Sequence, residues 1–409
     1  MTIKGELMSK KDKTLKGIKT PSRRKFFKAA AATGAVAAAT LAMPSIAKAA
    51  TTLKVQAAWG GGIFLENAQA YVKRVNDMAG GSLKIDLLPV NSVVKTSQMQ
   101  DAVHRGVLDG AHYVPAYWYS KSPAASLFGT GPCWGWSAQE LLGWIQYGGG
   151  MQLFNKLMGS LGLNLVSFFN SPMPAQPLGW FKEQIKKSSQ MKGLKYRTVG
   201  LAADVLGEMG MSVVQLPGGE IQPAMKSGLI DAAEFNNPTS DSDFGMQDVS
   251  KHYHLASFHQ SQEAFEVTFN KKKFDGLAPE LRKILEYASE AENSNFFWHN
   301  TLRYADDLVK LKNKLGVNVY RTPDGVMQDQ LKAWDVITDK FSKKDAFFKE
   351  VVDSQKVYAK KVMAYLLLNQ PDYGMAYRHH FGEPTNCLLY TSDAADEGLG
   401  VDLGGRRII

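Results

Sequence analysis

The alternation of apolar and polar residues in TLKVQAAW, Thr52 to Trp59, has the period of two expected of a half-buried strand. Glycines and a helical stretch through Glu66 to Met78 follow, then the strand-like SLKIDLLP, then QMQDAVHRGVLDGAHY, which reads as a helix running into a strand. This β-α-β-α-β order predicts an α/β sheet. A second unit starts at Met191: MKGLKYRTVG is a strand that carries Arg197 beyond Tyr196, LAADVLGEMG is a helix ending at Gly210, and SVVQLPGGE follows. FEVTFN, Phe265 to Asn270, is a further strand, placed to return to the first domain. From Pro279 the period becomes helical, with Leu281, Ile284, Leu285 and Ala288 on one face. Two long helical tracts are predicted, Pro279 to Leu315 and Gln328 to Leu368, separated by GVNVYRTPDG.

Two distant segments echo each other. DAVHRGVLDGAHYV and PAMKSGLIDAAEFN match at Ala102, Gly106, Asp109 and Ala111 against Ala224, Gly228, Asp231 and Ala233, at a constant offset of 122. In each, a glycine that tolerates the left-handed conformation can stop a helix before an apolar strand. The echo predicts two similar α/β domains, each offering one strand end to a shared space. Glu234 would then hold the position that His112 holds in the other half.

The ends of the chain distort its composition. SRRKFFK, the apolar run from Ala29 to Ala42 and the small-residue site AKA at 47–49 read as an export signal over residues 1–49. The apolar run is shorter than the roughly 20 residues a spanning helix needs, and Arg23 with Arg24 gives the segment a twin-arginine character. Residues 387–409 lack a helical or strand period over most of their length and are expected to be a non-native, adapter-derived tail. Of 48 basic and 39 acidic residues, 11 and 2 fall in 1–49 and 2 and 4 in 387–409, leaving 35 and 33 in the body. The basic balance thus belongs mostly to the leader, and nucleic acid is not an expected partner. With Cys387 set aside, Cys133 stands alone and no internal disulfide is expected.

The body shows no P-loop, nucleophile elbow, HExxH or paired-cysteine spacing. His252 and His254 would share one face of a strand, which permits a metal pair, although packed or solvated histidines are the commoner outcome. Trp118, Trp134, Trp136 and Trp144 could line a pocket but are more often core residues. What remains is a strand-end guanidinium at Arg197, a strand-end carboxylate at Glu234, and the amides of Gln176 and Gln260. A guanidinium matches a planar carboxylate with two parallel hydrogen bonds. A carboxylate with amide and backbone oxygens suits a hard cation. Singly, Arg197 reads as a surface strand residue and Glu234 as a solvated strand end. Together, at strand ends of a bidomain α/β chain, they favour a small-anion cleft.

The segments DAVHRGVLDGAHYVPAYWY, LFGTGPCWGW, WIQYGGG, MPAQPLGWF, GLKYRTVGLAADVLGEMG, LPGGEIQPAMKSGLIDAAEFNNP and FEVTFNKKKFD cover most of residues 52–320. In them the chain resembles the extracytoplasmic solute-binding subunits of TRAP transporters, in the branch that binds 2-oxo acids and related monocarboxylates. The resemblance implies a two-domain, periplasmic-binding-protein-like α/β fold (type II) with an interdomain cleft and long C-terminal helices. The expected division is 52–172 for the first part of domain I, 173–262 for domain II, 263–320 for a return to domain I with a bracing helix, and 321–386 for a C-terminal helical region able to support a homodimer. The resemblance assigns Arg197 to the substrate carboxylate. It places Gln176, Glu234, Phe235 and Gln260 around a cation, Na⁺ or Ca²⁺, beside the substrate, with Phe235 contributing its backbone oxygen and Gln176 and Phe235 also contacting substrate. Some relatives carry Trp where this chain has Phe235, so an indole donor is absent here.

The expected function is therefore a periplasmic binding protein, not an enzyme, that captures a small 2-oxo or 2-hydroxy monocarboxylate with a cation and delivers it to the membrane permease subunits. The alternative is a periplasmic metal-dependent hydrolase or lyase using Glu234 and nearby histidines. A third reading is a sensory or scaffold module that uses its long helices to contact a partner.

Overall fold

The computed structural model describes residues 50–384 except Pro217. The expected export signal, 1–49, and the expected adapter-derived tail, 387–409, lie outside the described residues.

The alternating segment at the start is β1, Thr51–Ala57, and SLKIDLLP supplies β2, Leu83–Leu88. With β3 (Gly110–Tyr113), β4 (Leu165–Met173) and β10 (Glu263–Asn270) they form a five-stranded sheet in the order β2-β1-β3-β10-β4. β1 runs parallel to β2 and β3, as the βαβ reading requires, while β10 enters antiparallel between β3 and β4. All residues of β3 and β10 are buried, so these central strands are covered on both faces, polar residues such as His112 and Glu266 included.

The second sheet has six strands in the order β11-β9-β5-β8-β6-β7. They are β5 (Gly179–Phe181), β6 (Lys195–Arg197), β7 (Ser212–Val214), β8 (Ala232–Ala233), β9 (His252–Leu255) and β11 (Asn318–Arg321). β11 is a departure from expectation. The segment separating the two helical tracts pairs in parallel with β9, so residues 318–321 complete the second sheet.

The chain passes between the sheets three times. Residues 174–178 lead from β4 to β5, residues 256–262 lead from β9 to β10, and the helix Pro279–Asn313 leads to β11. The first two crossings lie side by side, the Gln176 N–H donating to the Gln260 carbonyl at 3.0 Å. Each adjoins a non-glycine residue at positive φ, Ser171 at 56° and Ala256 at 61°, a conformation that costs roughly 1–2 kcal/mol for an L-residue. The helix ties the ends together by burial: Leu285 and Ala288 pack under the first sheet, whereas Leu311 packs with Trp180 and Tyr253 of the second. Fully burying a leucine of this kind contributes about 1.5–3 kcal/mol.

The second helical tract is not continuous. It comprises Asp324–Lys344 and Ala346–Asn369, divided at Asp345, whose extended backbone lets its carboxylate accept from the Phe347 and Phe348 N–H groups. These helices complete the largest core cluster, in which Trp334, Ile337, Phe348 and Val351 meet Trp118, Trp136, Trp144 and Phe128. Trp134 and Trp144 donate to Gln355 and Ser354 of the same helices, so the tryptophan-rich window is structural. No helix among the described residues is long and apolar enough to cross a membrane.

Candidate functional site

The echo in the sequence is an echo in hydrogen bonds. Gly106 and Gly228 take φ of 75° and 74°, and the next residue's N–H closes back on Ala102 or Ala224 at 2.9 Å in both copies. The aspartate that follows accepts from a backbone N–H of the neighbouring parallel strand: Asp109 from Lys54 at 2.9 Å, Asp231 from Lys195 at 3.1 Å. This turn sets the register of β3 on β1 and of β8 on β6. In the second copy Ala233 is paired with Arg197, and the next residue is Glu234. Two side chains 37 positions apart are thereby placed at one corner of the sheet.

Both are buried, Arg197 at 3 % and Glu234 at 0 % exposure, so neither is the surface residue that each resembles in isolation. Arg197 Nη1 donates to Glu234 Oε1 at 3.0 Å and to the Glu234 carbonyl at 3.3 Å, while Nε donates to the Leu216 carbonyl at 2.9 Å. Glu234 Oε2 has no hydrogen-bond partner.

Gln176 and Gln260 reach the same place from the two crossings. Gln176 Nε2 donates to Glu263 Oε2 at 2.8 Å, and Gln260 Nε2 donates to Thr198 Oγ1 at 3.2 Å. Both amide oxygens are buried and without partners. Glu263 Oε2 also accepts from Asn236 Nδ2, and the Asn236 N–H donates to Asp241 Oδ1 at 3.0 Å. Glu263, Asn236, Asp241 and Thr198 were not singled out from the sequence. Glu263 had a signal of the kind that exposed Glu234: an acid at the end of a strand whose residues are all buried.

The electrostatics are unbalanced. Burial pushes Glu234 and Glu263 up to about 7 and Asp241 up to about 6; the Arg197 guanidinium pulls Glu234 back down, and hydrogen bonds from Asn236 and Gln176, then Arg197, do so for Glu263. Two buried glutamates thus share one guanidinium, and Asp241 beside them is held by the Trp180 indole and by the Asn236 and Asn237 N–H groups. Three oxygens without partners, one carboxylate and two amide, are the donor set a hard cation takes, and a cation would supply the missing positive charge. The residues therefore fit the ion. Gln176, Glu234 and Gln260 would hold it through side-chain oxygens and Phe235 through its carbonyl.

The apolar side of the site is aromatic. Phe235, half-buried, lies 4.5 Å by ring centroid from Phe244 and 5.7 Å from Phe64, which belongs to the helix Gly62–Met78 of the first sheet. Phe64 continues into Trp59 and Phe265. His112, the counterpart of Glu234, accepts from Trp59 Nε1 at 2.8 Å on Nδ1, and burial holds it down at about 3, so it is a neutral packing residue. His252 and His254 do share a face, where both stack on Tyr320. His254 Nε2 accepts from the Ile185 N–H at 3.1 Å, and among the described residues no cluster of three or more His, Cys, Asp or Glu side chains could hold a metal. A surface cavity of about 590 Å³ beside β4, lined in part by Asn155, Ser167, Lys271 and Glu290, includes none of these residues.

A guanidinium and a set of cation-type oxygens, shut between two α/β lobes joined by narrow crossings, define a protein that encloses a small charged solute. The sequence model of "Bacterial extracellular solute-binding protein, family 7" matches residues 62–345, and the chain belongs to that family. The family comprises solute receptors, which overturns the hydrolase or lyase alternative. A monocarboxylate 2-oxoacid-binding periplasmic protein of Nostoc is 30 % identical over 306 residues, covering 75 % of this chain and 83 % of the relative. A TRAP periplasmic solute-binding protein of Colwellia psychrerythraea, solved with calcium and pyruvate, is 28 % identical with a TM-score of 0.73, covering 81 % of this chain and 100 % of that one. One from Pseudoalteromonas atlantica, solved with sodium and pyruvate, is 26 % identical with a TM-score of 0.74, covering 81 % and 99 %.

Proposed function

We propose that this protein captures a small 2-oxo or 2-hydroxy monocarboxylate together with Na⁺ or Ca²⁺ in the periplasm and delivers it to the membrane permease subunits of a TRAP-type transporter. The observation that carries the reading is the set of three buried oxygens without partners, on Gln176, Glu234 and Gln260, gathered beside a buried guanidinium. Arg197 neutralises the substrate carboxylate. Glu234, the two glutamines and the Phe235 carbonyl hold the cation, Gln176 and Phe235 also face the substrate, and the ion bridges to the substrate's second oxygen. The bound cation and pyruvate of the Colwellia and Pseudoalteromonas structures support the pairing of cation and 2-oxo acid, and the 2-oxoacid in the Nostoc relative's description supports the solute class. Calorimetric titration of metal-stripped protein with pyruvate, repeated with Ca²⁺ and with Na⁺, tests it. Heat of binding is expected only with a cation present; equal affinity in the stripped sample rejects the cation site.

The lobes we propose are 52–172 joined by 263–317, and 173–262 completed by β11 at 318–321, which the expected division had split between the first lobe and the C-terminal region, with the helical region that follows, to 386, packed on the core around Trp118 and Trp144. The end of that region supports a homodimer: Val357, Tyr365, Leu367, Leu368, Tyr373, Met375 and Phe381 are large apolar side chains left exposed on the last two helices. We further propose that residues 1–49 direct export by the twin-arginine route, for which the test is retention of precursor in the cytoplasm when Arg23 and Arg24 are both changed to lysine.

A further inference from the structure

The two ends of a glutamine amide have nearly the same shape, but only the oxygen can meet a cation. A cation site built from Gln176 and Gln260 therefore needs something that fixes which way each amide faces. For Gln176 that is Glu263. Its Oε2 accepts from Gln176 Nε2 at 2.8 Å and from Asn236 Nδ2, and a carboxylate oxygen in this position requires the NH₂ end of both amides. The consequence is visible on the other atom: Gln176 Oε1 is left buried and without a partner. Asn236 is fixed by the same oxygen, and its own Oδ1 then accepts from Asn237 Nδ2 at 2.8 Å. Gln260 repeats the arrangement with a hydroxyl: the Thr198 hydroxyl bonds to Glu234, which takes up its proton and leaves Oγ1 to accept from Gln260 Nε2 at 3.2 Å, while Gln260 Oε1 is buried and without a partner.

We infer that Glu263 and Thr198 are positioning residues, which hold the NH₂ ends of Gln176 and Gln260 and so present both amide oxygens to the bound cation. This rests on the cation site of the proposed function, and deepens it by naming the residues that set its affinity without touching the ion. Glu263→Gln keeps the shape but can offer either an oxygen or an NH₂ to Gln176, so the orientation is no longer imposed. Thr198→Val removes the acceptor for Gln260, together with the hydroxyl that bonds to Glu234, at nearly constant volume and leaves Glu263 in place.

The test is calorimetric titration of the metal-stripped full chain with CaCl₂, without and then with pyruvate, alongside a thermal melt without cation as a check on folding. In each variant the Ca²⁺ concentration for half-saturation is expected to rise about ten- to hundredfold, while saturating Ca²⁺ restores pyruvate affinity to within about threefold of the unmutated protein. A purely structural role would lower pyruvate affinity at every Ca²⁺ concentration. That result in both variants, or an unchanged Ca²⁺ half-saturation in both, overturns the inference. If Glu263→Gln does not fold, Thr198→Val alone decides it. Pyruvate binding that ignores Ca²⁺ and Na⁺ in the unmutated protein overturns the underlying cation reading as well, and is told apart because it appears without any mutation.

Discussion

Arg197 and Glu234 are held together twice, through the glutamate side chain at 3.0 Å and through its backbone carbonyl at 3.3 Å, and all of this is out of contact with solvent. Under the proposed function, the backbone contact would keep Arg197 in place when the Glu234 carboxylate turns to the cation, and its planar fork would then be available for the substrate carboxylate.

Arg197→Lys is accordingly not conservative. An ammonium group cannot serve Leu216, Glu234 and a bidentate substrate carboxylate with one planar fork. Affinity for pyruvate in the presence of Ca²⁺ is expected to fall at least about tenfold in Arg197→Lys, and further in Arg197→Ala. Arg197→Ala also leaves Glu234 buried without its counter-charge, a loss of about 3–5 kcal/mol in stability, read by chemical denaturation. Unchanged pyruvate affinity in Arg197→Ala would reject the role assigned to it.

The second prediction concerns pH. Burial pushes Glu266, in the middle of β10, up to about 8, while Tyr113 and Trp118 beside it pull it back down. The folded protein then holds a proton that the unfolded chain releases near the ordinary glutamate value. Stability from this group is complete below about pH 4.5 and is lost as pH rises through about 8. Glu266→Gln, which fixes the neutral form, is expected to flatten the fall in Tm between pH 5 and pH 8 by at least about 3 °C. A slope identical to that of the unmutated protein would show that Glu266 titrates normally.

Much of the molecule could be read before its coordinates. The strands β1, β2 and β3 lie where alternation placed them, and the echo of two helix-ending glycines located the corner that Arg197 and Glu234 occupy. What was hidden has a common cause. β11 is four residues long, too short for a period to emerge, and it exists because β9 already offers a free edge. Asp345 interrupts a helical period that its flanks maintain, because a side-chain cap competes with one turn of backbone hydrogen bonds. Glu263 was not recognised because its partners, Gln176 and Asn236, lie 87 and 27 residues away, and such distances are closed only by the fold.

The third prediction tests the crossings. Ala256, at φ 61°, sits where β9 gives way to the segment that carries Gln260. Ala256→Gly is expected to raise stability by about 1 kcal/mol through relief of strain, offset in part by the entropy of a freer unfolded chain. Denaturation with urea reads the balance; a clear loss of stability would mean that the alanine methyl group is held by packing that outweighs its backbone cost.

The fourth concerns assembly. Replacing Leu367 and Leu368 by glutamate puts two charges on the exposed apolar surface of the last long helix, where 74 % and 89 % of each side chain is accessible. Analytical ultracentrifugation is expected to show a dimer for the unmutated protein and a monomer for the double variant, with pyruvate binding retained. A monomer in both samples would remove the dimer from the proposal.

Gln176 and Gln260 belong to neither sheet. They lie on the two side-by-side crossings, joined to each other through one backbone hydrogen bond, so on the proposed reading groups that hold the cation are part of the link between the lobes. Posture and occupancy would then be a single variable in this molecule. A pair of fluorophores on the far rims of the two lobes would convert that variable into light, and the protein carries in its connecting segments the plan of an optical sensor for its solute.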